Sequence, residues 1–451
     1  MRQGLSGVNL KMPNPALIIA AVSIGLFSYI SSGFVFGIMF TALLFLVISR
    51  YTDINDRRFV FTVLSLALIT RLIALAIVQY YCFKTGMLDI FGDSAGNLEH
   101  GWTVRNFLEG NWDIKKGSLF MDLGLYNVHG KTLFNGIFFA IFGSDIPSLK
   151  YLNILAAMIS GWLVYDITRE NYSSAAGRIA MVIVLFWPTA FLWSITDLKD
   201  THIILSLLVM LKAFNKVLKK IPLKSRLIYL MVLFVSAGYT ASLRSKLFLP
   251  LLSAFIIIIS IYYLVRRCVC ANCKPSRILI LVAFALIGLF LFRGNIDRSI
   301  GHFLNQIHTI NKDFSDTGGW VYNLSGDFAT APHTPGFLIR YSIEAFFHFM
   351  AEPLPTHLYS MSLRSEYPAM VVWYFMLFLS PFGMIKICRI KRYNFVFILS
   401  VFMLLYSIIV GLSVVNIGTA VRFRDAIMPI MAILASCGLA QARRAAEGCD
   451  G

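Results

Sequence analysis

The chain has 451 residues, of which 58% are hydrophobic and 14% charged, with a formal net charge of +17. A soluble domain carries nearer a quarter charged residues, so this composition excludes one. The positive excess does not mark a nucleic-acid binder, because Lys and Arg gather in short connections between apolar blocks long enough to cross a bilayer.

In chain order, the apolar blocks predict helices at about 15–32, 34–49, 59–82, 149–167, 177–195, 200–216, 227–242, 247–264, 278–293, 369–387, 394–414 and 424–441. The fold class is therefore an all-α polytopic membrane protein with about 12 transmembrane helices. The first block follows a weak basic flank, Arg2 and Lys11, and is soon followed by a second block, so it reads as retained and not as a cleaved signal. With the N-terminus in the cytoplasm and each block crossing once, the cytoplasmic segments are 1–14, 50–58, 168–178, 212–226, 266–277, 386–392 and the tail. With the adjoining helix ends they hold 23 of the 40 basic residues and 6 of the 23 acidic ones. The remainder of the chain is neutral, so the whole excess lies on one side and sets the orientation, with both termini cytoplasmic.

Two outer segments are long, 84–150 and 294–368, and are rich in aromatic residues, Gly and His. Within the first, Thr132–Gly143 is too short to span and reads as an interfacial or re-entrant helix. In the second, Phe337–Met350 places aromatics beside Arg340, Glu344 and His348 and reads as a helix in the outer interface. The organisation is thus a helical hairpin at 1–58, a transmembrane domain at 59–441 with these two outer loops, and a tail at 442–451. Cys82 alone lies near the outer surface, so no outer disulfide is available. Cys268, Cys270 and Cys273 supply three thiols with no nearby His, one ligand short of a structural zinc site, and read as reduced or lipidated thiols.

Charges inside a bilayer are expensive and mark function or pairing. Arg71 sits mid-helix and reads either as a partner in an ion pair between helices or as an anion site for a lipid phosphate. Asp197, Lys199 and Asp200 share a polar turn, where Thr196 or Asp197 is a candidate cap for the next helix and Lys199 stands where it meets phosphate. Near the end, Arg422 and Arg424 lie two residues apart, so a helical turn sends them to opposite sides; one reaches inward, and arginine forks match phosphate oxygens. The segment Gly92–Gly110 carries Asp93, Glu99 and His100, with Asp89 just before it, as acid–base candidates near the bilayer surface; Asp93 also reads as a helix N-cap.

In this order the features resemble the GT-C superfamily of membrane glycosyltransferases. The likeness spans about 59–441 and rests on Asp93 and Gly110, Phe142-Gly143, Asn153, Gly177-Arg178, Trp187-Pro188, Ser194, the Lys199-Asp200 pair, Gly238 to Arg244, and Arg422 to Leu439 with Pro429 and Gly438. Three departures stand out: two extra helices come first, the usual Tyr is missing near Asn97, and no soluble C-terminal domain follows, which leaves acceptor recognition to the loops. The resemblance implies a sugar carried on polyprenyl phosphate and moved to a glycan or lipid acceptor at the outer side of a membrane, with a bacterial inner membrane as the expected location. It implies Asp93 as the base, supported by Asp89, Glu99, His100 and Asp197, and a phosphate held by Lys199, Arg422, Arg424, Arg71 and Arg244. Some relatives use a divalent metal, for which Asp89, Asp93 and Asp197 are the candidates. A Wzy-type polymerase of lipid-linked repeat units uses the same outer-face phosphate chemistry. A lipid-oligosaccharide flippase or transporter is the alternative from another class, favoured by the matching places of the two long loops in two six-helix halves.

Overall fold

The computed structural model describes residues 32–110, 130–219, 221–244, 335–354, 367–414 and 416–440. The helices expected at 247–264 and 278–293, nearly all of the one at 15–32, the Cys268–Cys273 run, most of the loop 294–368 and the tail 442–451 lie outside the described residues.

Fourteen helices form among the described residues. They are α1 (Ser32–Tyr51), α2 (Ile54–Thr85), α3 (Gly92–Leu108), α4 (Gly130–Phe142), α5 (Ile146–Asn171), α6 (Ser174–Leu185) and α7 (Pro188–Ser194). There follow α8 (Asp200–Val217), α9 (Leu223–Leu243), α10 (Pro335–Ala351), α11 (Tyr367–Arg389), α12 (Tyr393–Ser413), α13 (Ile417–Arg424) and α14 (Met428–Leu439). Five of them, α2, α5, α9, α11 and α12, are long and apolar enough to cross a membrane, and the pair α6 and α7, bent by 61°, makes a sixth.

Two blocks expected to be single helices are broken, each for a local reason. The 177–195 block bends at Trp187-Pro188, where the proline ring at the start of α7 denies the chain a backbone donor. The 424–441 block divides around Asp425, with α13 before it and α14, which has Pro429 in its first turn, after it. The helix α8 falls outside the spanning set because Asp200, Lys212 and Lys216 break its apolar length. The short helix expected at Thr132–Gly143 forms as α4, and the one at Phe337–Met350 forms within α10.

On α11, Val371, Phe375, Phe378, Phe382 and Ile385 are all exposed at alternating spacings of four and three. That is one helical stripe of large apolar side chains, the face a spanning helix turns to hydrocarbon. Polar side chains follow the opposite rule, with Asp56, Arg71, Lys131 and Lys150 all buried.

The contacts divide the chain into two units. The first takes residues up to Val128, Thr132–Ile159 and Ser194–Leu198. Its core is Leu98, Phe138, Phe139 and Leu149, with Trp102, Phe134 and Phe142 packed against it. The crossing of α3 and α4 is close: a Cβ on Gly101 would lie 2.8 Å from the Asn135 Cβ, so a larger residue there pushes the helices apart.

The second unit takes His129–Lys131, Ser160–Trp193 and the chain from Lys199 onward. There α11 and α14 cross at Gly383 and Gly438, where a Cβ on either would strike the partner's backbone. Lys386 reaches the last carbonyls of α14, 2.6 Å from Gly438 O and 3.1 Å from Ala440 O, a cation at the negative end of the helix. Basic residues from two segments expected on one side of the membrane meet here. Lys212 bonds Asp166 and Glu170, Lys216 and Lys219 lie 2.6 Å and 2.5 Å from Glu170, and Arg169 lies 3.0 Å from Asp166.

Two capping expectations are corrected. Phe91 occupies the N-cap of α3 and Asp93 lies in its first turn, where a carboxylate complements the positive helix end without capping it. Neither Thr196 nor Asp197 caps α8; Lys199 holds that position and gives no side-chain cap. The side chains of Asp197 and Thr196 are both buried, and the Asp197 carboxylate accepts from Asn135.

Candidate functional site

The first unit builds a polar knot around the chain at 194–198. Asp89 and Lys150 form an ion pair at 3.0 Å with neither side chain exposed to solvent. Asp89 also accepts the Ser94 hydroxyl, the Ile90 N–H at 2.8 Å and the Asp197 N–H at 3.1 Å. Asn135 donates to the Asp197 carboxylate and to Asn97 O, and Asn97 donates to Asp197 O at 3.0 Å. Asn153 donates to Thr196 O at 2.6 Å. Arg71 donates from Nε to Ser194 Oγ at 2.8 Å and from Nη1 to Ala67 O at 3.2 Å. Four helices, α2 to α5, thus each spend a polar side chain on this one turn.

The knot engages several of the sequence candidates. Asp89 and Asp197 are brought together, but on Lys150, Ser94 and Asn135, so they do not fit a metal site; no group of three or more His, Cys, Asp or Glu with metal-binding geometry occurs among the described residues. Arg71 braces the turn through Ser194. Asp93, Glu99 and His100 are exposed on α3. Ser94 ties the backbone beside Asp93 to the knot, so an exposed carboxylate stands on a fixed base.

The second unit gathers charge on the opening turn of α8. Asp200 accepts from Arg244 Nη2 on Oδ1 at 2.6 Å and from Arg422 on Oδ2, 2.9 Å from Nε and 2.7 Å from Nη2. Arg244 arrives from the C-cap of α9 and Arg422 from α13, 222 residues along the chain from Asp200. The Arg244 guanidinium lies 3.7 Å over the Phe423 ring, and that of Arg422 lies 5.7 Å over Trp193. Two residues on from Asp200, His202 lies 3.3 Å through Nε2 from the buried Lys131 ammonium and 3.0 Å through Nδ1 from the Tyr239 hydroxyl. An ammonium only donates, so Nε2 accepts and Nδ1–H is given to Tyr239; the imidazole is neutral. One carboxylate therefore holds two guanidiniums, Arg244 and Arg422, at a helix start whose own dipole is positive.

Arg424 points away from this group. It donates to Glu352 O, lies 3.1 Å from the Met370 sulfur, and packs over Trp373 at 5.1 Å and Phe349 at 5.8 Å. The opposite-sides expectation for the two arginines is met, with Arg422 as the one that joins the charge group. Lys199 holds the N-cap of α8, half-buried next to Asp200.

Two of the helices that carry this charge, α8 and α9, also line an apolar cavity of about 70 Å³. Its walls include Leu207 and Phe214 of α8, Phe234 of α9, Phe402 of α12 and Pro429 and Ile430 of α14. Leu207 is seven residues past Asp200, about 10 Å along the helix axis.

Sequence reasoning missed Lys131, His202 and Tyr239, and placed Asp200 only in a polar turn and in the Lys199-Asp200 pair of the family resemblance. Lys131 precedes the apolar run that drew attention to Thr132–Gly143, and nothing in the sequence marks it as buried. The local signal available was Gly130: a Cβ there would collide with Ser242 of α9, so the start of α4 lies flush against the helix that carries Tyr239.

The chain was compared with known proteins. The family profile described as dolichyl-phosphate-mannose-protein mannosyltransferase matches residues 132–292, a segment that includes Asp197, Lys199, Asp200, His202 and Arg244 and ends before Arg422. No curated protein and no solved structure matches the chain. The family match, together with the apolar helices, supports a likeness to the GT-C superfamily of membrane glycosyltransferases.

Proposed function

We propose that this glycosyltransferase takes its sugar from a polyprenyl-phosphate donor, of the kind named in the matched family's description, and passes it to a glycan or lipid acceptor at the outer face of a bacterial inner membrane. The observation that carries the reading is the pairing of surplus positive charge with an apolar cavity on the same helices. Asp200 neutralises one guanidinium and orients two, so the group as a whole favours an anion. Arginine forks aim two donors at phosphate oxygens. The cavity walls are almost wholly apolar, and α8 leads from one feature to the other. A lipid phosphate has the same plan, a charged head on a hydrocarbon tail.

In the reaction, the acceptor hydroxyl loses its proton to a carboxylate and attacks the anomeric carbon. The bond between that carbon and the phosphate oxygen breaks, and the phosphate leaves with the electron pair. Arg422 and Arg244, held ready by Asp200, stabilise the charge that grows there. Lys199 supplies further positive charge at the N-cap of α8, and Lys131 of α4 reaches His202 on the first turn. The family resemblance assigns the base to Asp93, whose exposed carboxylate and anchored backbone suit that role.

Proteoliposomes holding the protein and a labelled polyprenyl-phosphate sugar test the reading. Wild type is expected to cleave sugar from the lipid and pass it on. Asp93→Asn is expected to lower the rate by about 10²–10⁴-fold, the usual span for a general base. Arg422→Ala is expected to lower it by about 10²–10³-fold, the usual cost of one charge-stabilising donor. Transbilayer movement of the lipid without cleavage would sink the enzyme reading in favour of a flippase, and a ladder of joined repeat units would replace transfer of one sugar with polymerisation.

A further inference from the structure

Asp425 lies in the turn between α13 and α14, three residues after Arg422, and is 2% exposed. Its Oδ1 accepts from Trp187 Nε1 at 2.7 Å and Thr189 Oγ1 at 2.8 Å, and its Oδ2 accepts from Trp193 Nε1. All three donors are neutral, and among the described residues no cation forms an ion pair with this carboxylate. A buried carboxyl answered only by neutral groups is costly to ionise. What it supplies in return is acceptors on both oxygens: an amide offers one acceptor oxygen and a pair of donors, so it cannot answer three donors converging from both sides.

The three donors come from the stretch 187–193, the bend and the seven-residue helix α7. A helix that short has little stability of its own. Its last aromatic residue, Trp193, is the one whose ring lies beneath the Arg422 guanidinium. The indole N–H on Asp425 fixes how that ring is turned, the guanidinium lies 5.7 Å over the ring, and Asp200 takes its Nε–Nη2 edge.

We infer that Asp425 is a positioning residue for Arg422, acting through the Trp193 indole to set the arginine's aim at the donor phosphate. The inference rests on the reading of Arg422 as a phosphate-contacting group, and it assigns Asp425 and Trp193 no contact with substrate. Thr189 shares the same carboxylate through Oδ1 and serves as the control for a purely structural role.

The test is equilibrium binding of farnesyl phosphate to the full chain in detergent micelles, with thermal unfolding measured alongside. Arg422→Ala sets the floor for lost binding. Asp425→Asn puts an amide donor or a lone oxygen before the Trp193 N–H and is expected to weaken binding about tenfold. Trp193→Phe keeps a ring but loses the N–H and is expected to weaken it similarly. Because both changes break one path, the double variant Asp425→Asn/Trp193→Phe is expected to bind no more weakly than the poorer single variant. Thr189→Val is expected to lower stability and leave binding as in wild type. Additive losses in the double variant, or equal losses of binding from Thr189→Val and Asp425→Asn, overturn the inference while the phosphate reading stands. Should Asp425→Asn fail to fold, Trp193→Phe against Thr189→Val decides the matter. Should wild type not bind farnesyl phosphate, or Arg422→Ala bind it as well as wild type, the phosphate reading falls and takes the inference with it.

Discussion

Each unit buries an aspartate at the centre of a polar cluster, and the two clusters differ in their balance of charge. In the first, Asp89 meets one lysine, Lys150, and a set of neutral donors, so the knot is neutral and closed. In the second, Asp200 meets two arginines, so the cations outnumber the carboxylate they share. A neutral buried cluster is explained by the chain it holds in place. A cluster in which one carboxylate holds two guanidiniums at a helix N-terminus suits a further anion.

The sharpest way to break that contrast is to unbalance the neutral knot. Lys150→Met leaves Asp89 as a buried carboxylate without its cation, and the expected loss of stability is about 3–5 kcal/mol. Titration with SDS in mixed micelles measures it. The double variant Asp89→Asn/Lys150→Met removes both charges and is expected to recover most of that loss. If Lys150→Met unfolds like wild type, Asp89 is not held as the ion pair described.

The second cluster is expected to respond in activity more than in stability. Asp200→Asn leaves both guanidiniums in place but removes the anion that orients them. The donor still meets positive charge, so its binding holds, while the transfer rate falls by about 10–100-fold because the arginines are no longer preorganised. Rates at saturating donor, set beside equilibrium binding of farnesyl phosphate, separate the two effects. A variant that loses binding and rate together would make Asp200 a scaffold residue like Asp89 and erase the difference between the clusters.

The sequence made the helices legible because lipid rewards long apolar runs, and α2, α5, α9, α11 and α12 lie within a few residues of their expected places. The breaks were less legible. Trp187-Pro188 was visible as a motif, but a single proline does not say whether a helix bends or ends. Asp425 was hidden at the head of an apolar run, since its partners are 232 to 238 residues away. The candidate site was legible only as a set of residue types. The family resemblance points to Arg244, and the opening of the last helix to Arg422, yet their meeting on Asp200 depends on tertiary contacts that no local spacing records. Arg71 and Arg424 looked equivalent to them in sequence, and are instead committed to Ser194 and to Glu352 O.

The smallest expected effect supplies the baseline for the others. Ser206 of α8 and Thr240 of α9 bond each other at 2.7 Å, joining the two helices that also bring Asp200 and Arg244 together. This contact carries no charge, and each hydroxyl has a second acceptor on its own helix, Ile203 O for Ser206 and Ser236 O for Thr240. Removing either hydroxyl leaves the other still bonded, so no group is stranded. Side-chain hydrogen bonds between membrane helices average about 0.6 kcal/mol, and Thr240→Val is expected to cost about that much in SDS titration, with Ser206→Ala alike. Neither change disturbs the charge on Asp200, so farnesyl phosphate binding is expected to match wild type. A loss of binding from Thr240→Val as large as that from Arg422→Ala would mean that mere helix packing governs the phosphate group, and the distinction drawn from charge would no longer hold.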